Sequence, residues 1–400
     1  MPSKILVLNS GSSSVKYRLY SFSETEECRS LTAGLIERIG EADSGVPDHR
    51  YAIVEMVRSL ESQNYLRAGE LLAVGHRVVH GGESFNRAVM ANDRVLDAIR
   101  TAIPLAPLHN PANLLGIEAC RERWPEVPQV AVFDTAFHQS LPPAAYRYAI
   151  PDEAYREHAI RRYGFHGTSF ESIKRQVSKY LGQPADEIHL IVLHLGNGAS
   201  ACAIHEGKSI DTSMGMTPLA GLMMGTRCGD LDPGVILYWL EQAGQLPAQI
   251  SSCLNRNSGL KGIAGSNDMR DILARAGNDD AEAQLAVDMY VYRIRHYIGA
   301  YRALLPELHA LVFTGGVGEH APAIRSAACR DLLHLGLHLD EDKNQTTVSG
   351  LAEIQSSHSA VRIMVVPTDE EGEIARQTLD LLPGNPLQSD GRSSYPSIQQ

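Results

Sequence analysis

Residues 188–200, IHLIVLHLGNGAS, decide how this chain is read. Ile188, Leu190, Ile191, Val192, Leu193 and Leu195 form a short apolar run without proline or glycine, the length of a buried strand. The run empties into Gly196-Asn197-Gly198-Ala199-Ser200. Two glycines there let the backbone turn tightly and bring its N–H groups close to an anion with no Cβ in the way. One such junction is weak evidence, because most are plain turns. The chain repeats it. Residues 4–8 (KILVL) run into Asn9-Ser10-Gly11-Ser12-Ser13-Ser14-Val15-Lys16, and laying Val7-Leu8 on Val192-Leu193 puts Gly11 on Gly196 and Ser12 on Asn197. A third strand, residues 310–314 (ALVFT), runs into Gly315-Gly316-Val317-Gly318-Glu319. Three strands with small-residue loops at their carboxyl ends, two of them alignable, predict a duplicated α/β unit closing around a polyphosphate.

Outward from these loops, residues 17–20 read as the return strand of a hairpin, and residues 21–50 carry no clear pattern. Residues 51–60 have helical spacing, and 71–74 a strand leading into His76-Arg77-Val78-Val79-His80-Gly81-Gly82-Glu83. A guanidinium beside a Gly-Gly turn suits a carboxylate or phosphate, since its fork matches two oxygens; a plain surface arginine is the competing reading. Residues 92–103 predict a helix capped by Asn92 and stopped by Pro104, and Asn110 is expected to cap the next, with Pro111 at its first position. Residues 130–133 read as a strand ending at Asp134, where open α/β sheets place chemistry; a turn carboxylate is the bland alternative. Leu141-Pro142-Pro143 marks a domain boundary. Residues 161–169 (RRYGFHGTS) put His166 on a loop and end in a cap for a helix running to Leu181. Residues 225–234 (GTRCGDLDPG) pack Arg227 and two carboxylates into a loop too polar for a core. Residues 266–271 (SNDMRD) precede a helical region, residues 281–305 read as one long helix, and a helix from about 321 to 333 follows the GGVGE loop. Residues 361–366 form a last strand ending in PTDEEG, and residues 373–382 a helix. Residues 383–400 lack apolar periodicity and are expected to be a disordered tail.

Composition bounds the function. Four hundred residues suit two domains. A net charge of −11 without a local Lys/Arg cluster argues against a nucleic-acid partner. An acidic protein that binds phosphate and carboxylate must do so with placed Arg, Lys, metal and backbone N–H groups. No apolar run reaches membrane-spanning length, residues 235–240 being among the longest, and the N-terminus has no signal-peptide core. Six scattered cysteines without a C-x-x-C pair fit a reducing cytoplasm.

Taken together, the segments VLNSGSSSVKY, GHRVVHGGE, APLHNP, VFDTAFH, RYGFHGTS, HLGNGAS, DTSMGMTPLAGL, GTRCGDLDPG, SNDMRD, FTGGVGE and PTDEE resemble the acetate kinases, the acetokinase group of carboxylate kinases. The resemblance spans almost the whole chain in order. It implies the acetate and sugar kinase/Hsp70/actin fold: two ribonuclease-H-like α/β domains with the nucleotide in the cleft between them. The expected division is residues 1–140 completed by the helix 373–382, then residues 141–372. It further implies homodimers that transfer a phosphoryl group reversibly between ATP and acetate, giving ADP and acetyl phosphate, with Mg²⁺ or in its place Mn²⁺. Carried over by position, Asn9 and Glu370 resemble the residues near the metal and Lys16 a nucleotide-side cation. Arg77 resembles the arginine that holds the substrate carboxylate, and Asp134 the essential carboxylate. His166 and Arg227 resemble the pair that stabilises the transferring phosphoryl group. His194, Leu195, Gly196, Asn197 and Gly198, then Asp268, Met269 and Arg270, then Gly315, Gly316, Val317, Gly318 and Glu319 resemble the three nucleotide loops. Val79, Leu108, Phe165 and Pro218 would line the pocket for the acetate methyl. Asp369 stands where the family commonly has Asn, and Phe170 where it usually has His.

Phosphoryl transfer needs mainly alignment and charge neutralisation, which fits a set of arginines and a histidine. Acetate is already ionised at neutral pH, so Asp134 has no proton to remove and is expected to orient Mg²⁺ or a neighbouring arginine. The rival readings are a propionate or butyrate kinase and, in another class, a non-catalytic nucleotide switch of the actin/Hsp70 kind.

Overall fold

The computed structural model describes residues 3–23, 28–346 and 350–382; the tail expected at 383–400 lies outside them. The chain divides into two compact units, Met1–Ala136 with Asp369–Gln400, and Phe137–Thr368. These divisions fall four residues ahead of the boundaries read from sequence.

The first unit holds a six-stranded sheet built from β1 (Ser3–Ser10), β2 (Ser14–Phe22), β3 (Cys28–Glu37), β4 (Leu71–Val78), β5 (Val89–Met90) and β6 (Gln129–Phe133). Its order is β3-β2-β1-β4-β6-β5. β1, β4 and β6 run parallel, while β2, β3 and β5 pair antiparallel. Strand side chains alternate between faces, so β1 feeds two cores. Leu6 and Leu8 pack with Ile53, Met56 and Leu60 of the His49–Ser62 helix and Cys120 of the Asn110–Arg123 helix. Ile5 and Val7 pack on the other face with Ile374, Ala375 and Leu379 of the Glu370–Asp380 helix.

The second unit holds β7 (Leu190–Leu195), β8 (Ala199–His205), β9 (Lys208–Thr212), β10 (Ala310–Thr314), β11 (Ala352–Glu353) and β12 (Arg362–Val365). Read from β9, the order is β9-β8-β7-β10-β12-β11, with the same parallel and antiparallel pairings at each step as the first sheet. Phe170, Ile173 and Val177 of the Gly167–Leu181 helix cover one face. The ribonuclease-H-like plan is therefore present twice, as the aligned Gly loops predict. β1 and β7 even end at equivalent residues, Ser10 and Leu195.

Several local expectations change. Residues 21–50 contain β3, held by pairing with β2 rather than by its own pattern. β4 continues to Val78, so His76 and Arg77 are strand residues. The helix after APLHNP starts at Asn110 itself, whose side chain does not cap it but bonds the backbone of His80. Ser169 lies inside the Gly167–Leu181 helix, whose N-cap is His166. GGVGE is a short helix, Gly315–His320, not a loop; the next is Pro322–Cys329, shorter than expected. The last helix starts at Glu370, capped by the Asp369 side chain accepting the Gly372 N–H at 3.1 Å. That cap accounts for Asp at position 369, because Asp and Asn serve equally well there. Phe170 is fully buried against Phe137 and the edge of His138, an apolar niche suited to a phenyl ring. No helix of the described residues is long and apolar enough to cross a membrane.

Candidate active site

In the first unit, Arg77 near the end of β4 and Asp134 just past β6 form a two-pronged ion pair. Arg77 Nε donates to both carboxylate oxygens at 3.0 and 3.1 Å, and Nη2 to Oδ2 at 2.6 Å. Asp134 is buried, while Arg77 keeps about a fifth of its side chain exposed. One edge of the guanidinium is thus held, while Nη1 takes no part in the pair. Burial alone would lower the Arg77 guanidinium, but the Asp134 carboxylate, with Glu370 and Glu371, holds it above its usual value. Desolvation raises the Glu370 carboxyl and Arg77 pulls it back, so the two are electrostatic neighbours. Lys16 pairs with Glu371 at 2.5 Å and stands opposite Asn9 across the β1–β2 ladder. The structure therefore brings Asn9, Lys16, Arg77, Asp134 and Glu370 together at the carboxyl ends of the parallel strands.

The first turn of the Asn110–Arg123 helix fixes these loops. Asn113 accepts the Val79 N–H at 3.1 Å and donates to the Ser10 carbonyl at 2.8 Å; Asn110 does the same for both backbone groups of His80. His49 Nε2 meets the Gly11 carbonyl at 2.8 Å. Sequence reasoning missed His49 and Asn113, although Asn110 and Asn113 have the i, i+3 spacing of one helix face. Val79 is buried beside this network, whereas Leu108 is 60% exposed.

In the second unit, His166 begins the Gly167–Leu181 helix in the left-handed region, φ +59°. Its ring stacks on His194 at 4.4 Å between centroids. A Cβ placed on Gly198 would lie 3.5 Å from His166 Nε2 and 3.6 Å from Arg227 Nη1, so the imidazole and the guanidinium converge on one glycine. Arg227 donates to the Pro218 carbonyl at 3.1 Å and to Met224 Sδ at 3.7 Å. No carboxylate lies within ion-pair distance of it among the described residues, and burial lowers its guanidinium. Arg77 and Arg227 thus differ: one is neutralised by a partner, the other is a partly desolvated cation with no carboxylate partner among the described residues.

Around that point, the Gly225 N–H donates to the Asn197 carbonyl, and a Cβ at Gly225 would sit 2.0 Å from Asn197 Oδ1. Asn267, which sequence reasoning missed, donates to the same Oδ1 at 3.2 Å. Asp268 caps the Met269–Ala276 helix and pairs with Arg270, whose side chain is 92% exposed. Gly315 has φ +77°, and its would-be Cβ meets the Leu195 backbone at 2.9 Å, so only glycine fits between β10 and its helix. Glu319 Oε1 accepts the N–H groups of Gly315 and Thr368 at 3.1 and 3.0 Å, which ties this turn to the end of the last strand. His138 of VFDTAFH is buried; its Nε2 meets the Phe165 carbonyl at 3.0 Å and Nδ1 the Ser209 hydroxyl at 2.8 Å, a bracing role.

His189, Glu307 and His309 also gather at the opposite, amino ends of β7 and β10, with ligand atoms within 4.8 Å of one another. His189 Nδ1 accepts the Glu206 N–H and His309 Nδ1 the His189 N–H. The proton of each neutral ring is then on Nε2, so the cluster closes the sheet end rather than presenting bare nitrogens to a metal.

The acetokinase family model matches residues 4–376. The chain belongs to the acetokinase family. An acetate kinase of Syntrophobacter fumaroxidans is 49% identical over 95% of this chain and 97% of its own length. That of Leifsonia xyli is 50% identical over 94% and 98%. Among solved structures, Porphyromonas gingivalis acetate kinase superposes with a TM-score of 0.90 at 42% identity, covering 95% of this chain and 100% of that one. A propionate kinase from Francisella tularensis gives 0.88 at 42% identity over the same shares.

Proposed function

We propose that the chain is a carboxylate kinase that transfers a phosphoryl group reversibly and directly, in line, between ATP and acetate, giving ADP and acetyl phosphate. The observation that carries this reading is the convergence of His166 Nε2 and the Arg227 guanidinium on Gly198 of a glycine loop. A nucleotide switch has no need of such a pair. Arg77, steadied by Asp134, offers its remaining N–H donors to the acetate carboxylate and removes the charge repulsion that would keep it from the γ-phosphate. His166 and Arg227 meet the charge that develops on the equatorial oxygens as the phosphoryl group moves. Backbone N–H groups of the Gly196–Gly198 and Gly315–Gly318 segments cradle the polyphosphate.

A divalent cation suits the first unit. Asn9 and the partly buried Glu370 offer hard oxygen donors, and Mg²⁺ prefers few protein carboxylates with phosphates and water completing its shell. When bound, Mg²⁺ or Mn²⁺ supplies charge neutralisation at the β- and γ-phosphates.

A homodimer is supported by the Pro233–Glu241 helix, which buries none of its residues although it carries Val235, Ile236, Leu237, Tyr238, Trp239 and Leu240. Leu231, Trp239, Met289 and Tyr292 line a groove of about 680 Å³ in the same unit. Surfaces this apolar mark association sites. The six free thiols agree with a cytoplasmic enzyme.

Propionate is the second reading, because one of the structural relatives is a propionate kinase. Hydroxamate trapping of acyl phosphates formed from ATP with C2 to C4 acids decides between them. Acetate should give the highest kcat/KM; equal or better turnover of propionate would reassign the substrate, and no acyl phosphate from any acid would end the kinase reading.

A further inference from the structure

Ser200 lies in β8, fully buried, and directly opposite His194 in the β7–β8 ladder. Antiparallel partners project their side chains on the same face of a sheet. On that face the His166 ring stacks over His194 with its plane tilted by 29°, and its Nδ1 meets the Ser200 hydroxyl at 2.9 Å. Anchoring Nδ1 leaves Nε2 directed at Gly198 and beside Arg227. The left-handed backbone of His166 at the helix start fixes where the side chain leaves the chain, but not how the ring turns. The Ser200 hydroxyl, bonded to Nδ1, bears on that turn together with the stack on His194. A serine can accept from Nδ1–H or donate to a bare Nδ1, so it holds the ring in one place whichever nitrogen carries the proton. His194 is held in parallel: its Nδ1 meets the Ser169 hydroxyl at 2.8 Å, which also reaches the Thr368 hydroxyl at 3.2 Å. Two stacked imidazoles, each with a serine on Nδ1, form a rigid wall.

We propose that Ser200 is a positioning residue for phosphoryl transfer, its hydroxyl clamping the His166 imidazole so that Nε2 and the Arg227 guanidinium address the same phosphoryl oxygens. The proposal rests on the reading of His166 as a contact to the transferring group. A ring freed from Ser200 keeps its stack but can rotate away from Nε2's target, and misalignment of this order costs about tenfold to a hundredfold in rate.

The test is a double-mutant cycle on the full chain: wild type, Ser200→Ala, His166→Ala and the double variant. Ser200→Thr restores a hydroxyl, and melting temperatures are taken alongside. With saturating ATP and acetate, Ser200→Ala should lower kcat by about tenfold to a hundredfold, with both KM values within about twofold. Ser200→Thr should recover most of the loss, and adding Ser200→Ala to His166→Ala should change nothing more. The proposal is overturned if Ser200→Ala keeps normal kcat while His166→Ala does not. It is equally overturned if Ser200→Ala costs the same factor with and without His166, since that marks a general structural role. Normal kcat in His166→Ala would instead remove the reading of His166, and this proposal with it.

Discussion

Arg77 and Arg227 present the clearest contrast among single residues. Arg77 shares two donors with the buried Asp134, whereas among the described residues Arg227 bonds a carbonyl and a thioether and no carboxylate. An arginine that already carries its counter-ion suits ground-state binding of a small carboxylate; one without suits charge that appears during transfer. Arg77→Ala should therefore raise the acetate KM strongly and leave the ATP KM nearly unchanged. It also strands the Asp134 carboxylate, so unfolding should show a loss of about 2 kcal/mol, below the range for a fully buried pair because Arg77 is partly exposed. Arg227→Ala should lower kcat by about 10²–10³ with smaller changes in either KM. Steady-state kinetics varying each substrate in turn, with denaturant melts, check both. Retention of kcat in Arg227→Ala and its loss in Arg77→Ala at saturating acetate would exchange the two roles.

The carboxyl ends of the strands act as units. β4 delivers Arg77 and then Val79, whose N–H is pinned by Asn113, so the side chain is fixed as well as buried. If Val79 limits the acyl pocket, Val79→Ala should narrow or reverse a preference for acetate over propionate, by roughly 1 kcal/mol per methylene accommodated. Unchanged kcat/KM ratios across C2 to C4 acids would take Val79 out of the pocket. The turn from β10 into Gly315–His320 is a second such unit. At Gly315 an added Cβ meets backbone, which cannot swing aside, and φ is positive. Gly315→Ala should cost about 1–3 kcal/mol of stability and raise the ATP KM, whereas Gly316→Ala, with no protein atom near its Cβ, should leave the melting temperature unchanged. Equal melting temperatures for the two variants would contradict the geometry.

Across the whole molecule, acid sensitivity and association can be read from what is buried and what is not. His76 and His138 are buried and neutral, desolvation holding each near pKa 4 against 6.5 in an unfolded chain. Between those values the unfolded chain binds the extra proton, so their contribution is complete above pH 6.5 and is lost as pH falls toward 4. Each contributes about 1.4 kcal/mol of lost stability per pH unit inside that window. Melting temperature should therefore drop from pH 7 to pH 5, and His138→Asn should be less stable at pH 7 yet show a shallower decline. A decline as steep as wild type would place the acid sensitivity elsewhere. The Pro233–Glu241 helix leaves Leu237 and Tyr238 more than half exposed. Leu237→Glu with Tyr238→Glu should convert a dimer to a monomer in light scattering while preserving the far-UV spectrum; a wild type that is monomeric at micromolar concentration would refute the dimer.

The duplicated plan was legible in the amino-acid order alone, because apolar strand runs and glycine loops are local features and the same register recurs at Gly11 and Gly196. That order also singled out Arg77, Asp134, His166 and Arg227 as candidates, because each stands on a glycine-flanked loop or at the carboxyl end of a strand run. Long-range packing was needed for Asp134 to hold Arg77, for Asn110 to brace His80 instead of capping its helix, and for β3 to form at all. Those outcomes depend on partners 30 to 57 residues away, or on an edge offered by a neighbouring strand. Ser200 shows the same limit. It stands in the motif HLGNGAS as one small polar residue among others, and its bond to His166, 34 residues distant, exists only because β7 and β8 pair in one register. Local pattern encodes which elements form, while long-range packing selects the side chains that meet.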